Sequence, residues 1–133
     1  MQIVLLDTPF LFAQYNPKDI NHKIVNDYLI YERNKEKVYF ILTNFVFSET
    51  ITRITRRINK VKAIEVIKKI KEDPFIKIDF IDSNIFLSAE KYFIRYIDKN
   101  WSFVDFTTYA YMKEKGTSVG HRHIKEFGFE VIP

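Results

Sequence analysis

The chain has 133 residues, 47% hydrophobic and 17% aromatic, enough for one domain with a sizeable core. It has no cysteine, which excludes a disulfide framework and a cysteine-based zinc site. The formal net charge of +4 is uneven: Arg53 to Lys71 hold eight basic residues and one acid, a local +7 against −3 elsewhere, which suits either a solvated helix face or a polyanionic partner.

The first apolar run, Ile3 to Leu6, reads as a strand that ends at Asp7. It is too short for a signal h-region or a membrane span, so a cytoplasmic location with no membrane partner is expected. Thr8 and Pro9 read as a turn away from that strand. Asn16-Pro17 has the form of an N-cap and first helical position, predicting a helix to about Asn34 with Ile20, Ile24, Tyr28 and Tyr31 at helical spacing. His22 on that helix reads as a surface residue. Val38–Leu42 is a continuous apolar run, as expected of a strand buried on both faces.

Thr43 is placed to cap a helix to about Asn59. A second follows over Lys60–Glu72, with Ile64, Ile67 and Ile70 on its apolar face. Phe75–Phe80 predicts a third strand. Asp82 or Ser83 caps a helix to Ile97 that carries Ile85, Ala89, Tyr92 and Tyr96, with Phe86 and Phe93 beside them. That aromatic stripe reads as core or dimer contact. Ser102 and Asp105 have the spacing of a capping box, in which the acid reaches back to the cap residue's N–H. The helix they open runs to Gly116, with Phe103, Phe106, Ala110 and Met112 inward. Thr117–Val119 and Phe129–Ile132 read as two short closing strands. Strands alternating with helices imply a single α/β domain over residues 1–133: a three-layer α/β/α architecture with a mostly parallel sheet of four to five strands.

An acid at the carboxyl end of a buried strand sits where open α/β sheets place their sites, and Asp7 is such an acid. Asp105 reads as a helix cap, and Glu49 as an i,i+4 partner of Arg53. Together they carry more. The blocks LLDT at Leu5–Thr8, TNFVFSETITRITRR at Thr43–Arg57, SFVD with MKEKG over residues 102–116, and a closing GF…P resemble PIN-domain nucleases. In length and motif order the whole chain is similar to the VapC-type toxins of prokaryotic toxin–antitoxin pairs. The SFVD and TNFVFSETITR blocks are the specific parts; LLDT alone is weak.

The resemblance implies that Asp7, Glu49 and Asp105 converge as catalytic metal ligands. Clustered carboxylates repel unless a hard cation neutralises them, and all-oxygen ligands favour Mg²⁺ or Mn²⁺ over zinc. Such a site suits metal-dependent hydrolysis of an RNA phosphodiester. Thr8 and Thr108 match small hydroxylic positions that orient ligands or water; each also reads as a local cap or core hydroxyl. Arg53 and Arg56 share a helix face with Glu49 and are placed to hold RNA phosphates. A cognate antitoxin and a homodimer are the expected protein partners. One position departs from the pattern. His121 stands where PIN domains often carry a further Asp, while His123 matches a common family histidine. Three roles stand open for His121: an imidazole metal ligand, a phosphate hydrogen bond, or none. Its presence favours the alternative of a degenerate, non-catalytic PIN domain that binds RNA or a protein.

Overall fold

The computed structural model describes residues 2–34 and 38–115. Three strands, β1 (Gln2–Leu5), β2 (Val38–Thr43) and β3 (Ile76–Asp79), form a parallel sheet in the order β1-β2-β3. Leu5 lies beside Ile41, and Thr43 beside Asp79. The connections are helical: α1 (Thr8–Tyr15) and α2 (His22–Arg33) join β1 to β2, and α3 (Asn44–Arg57) and α4 (Lys60–Glu72) join β2 to β3. Then come α5 (Ser83–Arg95) and α6 (Phe103–Lys115). The expected strands Thr117–Val119 and Phe129–Ile132, the stop at Gly116, and both His121 and His123 lie outside the described residues.

The period-two alternation of a strand sends neighbouring residues to opposite faces. Val4, Phe40 and Leu42 enter a core shared with α1 to α4, whereas Leu5 and Ile41 enter one shared with α5 and α6. The sheet is thus the middle of three layers. β2 packs on both faces as its apolar run predicts, although Tyr39 remains 43% exposed. The Tyr111 hydroxyl of α6 donates to Asp79 at the carboxyl end of β3 at 2.6 Å. Burial first, and then the Asp79 carboxylate, push that phenol well above its ordinary range.

Several sequence readings are corrected here. Thr8 and Pro9 do not form a simple turn; they begin α1. Asp7 is its N-cap, accepting the Phe10 N–H at 2.9 Å, and Pro9 sits in the first turn, where its missing N–H has no partner to lose. Asn16-Pro17 consequently ends a helix rather than starting one, and α2 begins only at His22. The inward face of α2 is Val25, Leu29 and Glu32; Ile20 and Ile24 are 92% and 62% exposed. His22 is half-buried, with Nδ1 2.8 Å from the Ala13 carbonyl, so it ties α2 to α1. On α4 the buried row is Ala63, Val66 and Ile70, one residue out of step with Ile64 and Ile67.

Candidate active site

Asp7 follows the first strand at the carboxyl end of the sheet, and Glu49 and Asp105 lie near enough to raise its pKa. β1 runs straight into Asp7, whose cap bond fixes it at the mouth of α1. β2 ends at Thr43, whose hydroxyl accepts the Val46 N–H at 3.2 Å and starts α3, the helix of Glu49. The expected capping box forms at the start of α6: Ser102 N–H donates to Asp105 at 3.0 Å, and Asp105 N–H donates to the Ser102 hydroxyl at 3.2 Å. Packing against α3 brings α6 across the sheet end.

Asp7 is the most constrained of the three acids, 4% exposed. Oδ1 accepts the Phe10 N–H, while Oδ2 is buried without a hydrogen-bond partner. Burial is the main force raising its pKa, to about 7. The Phe10 bond opposes that rise, and the negative charges of Asp105 and Glu49 add to it. Asp105 is half-buried and also raised, first by burial. Its Ser102 contacts lower it, Glu49 raises it and Arg53 lowers it. The three acids therefore lie within one another's field, and Arg53 lies within that of Asp105. Thr8, the first residue of α1, is buried with its hydroxyl unpartnered, and Thr50 on α3 shares both properties. Thr108 is buried on α6.

Among the described residues, no group of three or more histidines and acids is arranged to hold a metal ion. Asp7 and Asp105 each direct a carboxylate oxygen to a backbone N–H at a helix start. The donor chemistry nevertheless suits a hard cation: the donors are all oxygen, and the buried, unpartnered Asp7 Oδ2 is the kind of atom a cation satisfies.

A cleft of about 330 Å³ opens beside Glu49, lined also by Thr52, Arg53, Arg56 and Arg57. These fall at i, i+3, i+4, i+7 and i+8, one face of α3. Arg53 and Arg56 are thus where the sequence put them. Thr52 and Arg57 were missed as site residues, although the same helical spacing from Glu49 points to both. The Arg53 guanidinium lies 5.9 Å from the centre of the Phe12 ring, which steadies it at the cleft wall.

In structure the chain is similar to VapC20 of Mycobacterium tuberculosis, a sarcin–ricin loop cleaving toxin, with a TM-score of 0.75 over 86% of this chain and 84% of that one. The chain has the fold of a VapC toxin. This is the three-layer PIN architecture that the sequence resemblance implied, and it holds at 23% identity. No protein-family model and no curated protein sequence matches the chain.

Proposed function

We propose that this protein is a divalent-metal-dependent endoribonuclease, the toxin of a toxin–antitoxin pair. What supports the reading is that Asp7 and Asp105 lie within the field of Glu49, and that Glu49 itself lines a cleft with three arginines. Acids that repel one another, one of them with a buried oxygen lacking a partner, suit a cation. Arginines along the next turns of the same helix suit the phosphates of a polyanion.

In this reading Asp7, Glu49 and Asp105 hold Mg²⁺ or Mn²⁺. When bound, the ion supplies Lewis-acid activation of water for in-line attack on the phosphodiester. The chain's own residues do the rest. The buried cap at Asp7 keeps one ligand fixed, because its backbone and one carboxylate oxygen are already anchored. Arg56 and Arg57 hold the strand by its phosphates, and Arg53 offsets charge beside Asp105. Thr8 and Thr108 are placed to orient ligands or water. Of the three roles open for His121, which lies outside the described residues, only a ligand role requires a neutral imidazole and predicts activity that rises with pH through the histidine range with a bias toward Mn²⁺. The antitoxin and a second copy of the chain are the protein partners. The outward residues Leu87, Ile94 and Ile97, on and just beyond α5, suit a dimer contact. Among the described residues, no helix is long and apolar enough to cross a membrane.

One observation favours the second reading, a PIN domain that binds RNA without cutting it: among the described residues, the acids are not gathered around an ion position. Incubating purified protein with a structured RNA separates the two. The enzyme reading expects cleavage with Mg²⁺ or Mn²⁺ and none with a chelator. Binding without cleavage under either ion establishes the alternative.

A further inference from the structure

A second cleft, of about 440 Å³, adjoins the first and shares Glu49 and Thr52 with it. Its other lining residues are Asn44, Phe45, Ser48 and Val104. The groove along α3 therefore changes character at Glu49. Toward the helix C-terminus it is cationic; toward the N-terminus it is neutral and contains an aromatic ring. The volume lies within the range of small-ligand sites, which begins at about 300 Å³.

The neutral half is built on fixed groups. The Phe45 ring is held edge-on to Phe86 with centroids 6.0 Å apart, and Phe86 packs on Phe103 at 5.4 Å. Asn44 Oδ1 accepts the Ile81 N–H at 2.7 Å, which orients the amide and leaves its NH₂ group as a donor. Ser48 is exposed and brings a hydroxyl. A single-stranded nucleic acid makes two demands on a protein. Its phosphates want cations, and its unstacked bases want an aromatic face with neutral hydrogen-bonding groups. The two halves of the groove meet them separately.

We propose that the neutral half is a nucleobase subsite, which takes one unstacked base of single-stranded RNA against Phe45 while Arg56 and Arg57 hold an adjacent phosphate. The proposal builds on the ribonuclease reading and adds the group that selects where the strand seats. A strand crossing Glu49 then places its backbone at the acids, with a base anchored on one side and phosphates on the other.

The test reads affinity by fluorescence anisotropy in chelator, so its outcome does not depend on cutting. The probes are a short single-stranded RNA and a series of it in which one abasic ribose is moved along the strand. For the parent, one position is expected to cost about tenfold in Kd. In Phe45→Ala, intact RNA binds about tenfold more weakly and that position costs less than about twofold further. Phe45→Tyr restores the parent pattern. Phe45→Leu, which keeps apolar bulk against Phe86, behaves as Ala and serves if Ala melts early. Arg56→Ala weakens every oligonucleotide alike and keeps the sensitive position. An abasic penalty unchanged in Phe45→Ala, or no sensitive position in the parent, overturns the subsite. A parent that binds with a Phe45-dependent position yet cuts nothing with Mg²⁺ or Mn²⁺ removes the nuclease reading and leaves the subsite standing. A parent that cuts RNA with no such position removes the subsite alone.

Discussion

Helices α3 and α6 both bring an acid to the sheet end, but they are built in opposite ways. α3 is amphipathic. Val46, Thr50 and Ile54 face the core, and Glu49, Thr52, Arg53, Arg56 and Arg57 line a cleft. α6 is buried all round from Phe106 to Met112, and only its ends reach solvent. Glu49 on α3 lines the open cleft, whereas Asp105 is held by a capping box on a helix packed between the sheet and α5. The contrast divides the labour. The buried elements fix two acids, Asp7 and Asp105, and the half-exposed helix supplies the third with the cations beside it.

The first way to break this contrast is to remove a fixed acid. Asp105→Asn keeps the cap geometry and removes the charge. Changes to groups that merely support a metal ligand already cost about 10- to 100-fold, so loss of a ligand should exceed about a hundredfold in cleavage rate. The fold should survive, with an unchanged circular dichroism spectrum. Full activity in this variant would remove Asp105 from the site.

Asp7 gives the next largest effect, in stability. Its folded pKa of about 7 lies above the ordinary value of 3.8. The folded state therefore binds the proton more tightly than the unfolded chain. Stability is unaffected by Asp7 below about pH 4, falls as pH rises through that window, and reaches its full loss above about pH 7, on the order of 4 kcal/mol. Asp7→Asn should cap α1 equally well and escape this cost. Thermal melts of parent and variant without metal should diverge as pH rises from about 4 to 8, the variant being more stable at the alkaline end. Parallel curves would mean that Asp7 is not desolvated.

The exposed face of α3 should behave differently, through salt rather than stability. Replacing Arg56 and Arg57 together by Ala should leave the melt within about 0.5 kcal/mol and lower the slope of log K for RNA against log salt by about 1 to 2. An unchanged slope would move the RNA path off this helix. A small effect probes the buried side: Tyr111→Phe removes the bond to Asp79 and should cost about 1–2 kcal/mol with little change in RNA affinity. A loss of RNA binding there would blur the division between the helices.

The same contrast governs what was legible in the sequence. Amphipathic α3 and α5 announced themselves: the Thr43 and Asp82 caps form, and Ile85 and Ala89 are buried as their spacing implies. α1 carried no such period. Thr8, Phe10, Leu11, Phe12, Ala13 and Tyr15 are all buried, so the segment has no polar face to mark it as a helix. The cap-and-proline signal Asp7-Thr8-Pro9 was there but reads equally as a turn. α2 failed for another reason. Ile24 and Val25 are adjacent and both apolar, as are Tyr28 and Leu29, so the pattern fits two phases and only packing chooses between them. For the candidate site, it was the family resemblance that pointed to Asp7, Glu49 and Asp105. The burial that shifts Asp7 depends on α1 folding over it, and no local pattern carries that.

The most direct test of the central claim is calorimetric titration of Mn²⁺ into the purified protein at mildly alkaline pH, where Asp7 is ionised. The parent should show a saturable site. Its affinity should fall by at least about tenfold in each of Asp7→Asn, Glu49→Gln and Asp105→Asn, because each removes a ligand from one shared ion. A parent that takes up no Mn²⁺, or three variants that bind it as tightly as the parent, would contradict the metal centre assigned to these acids.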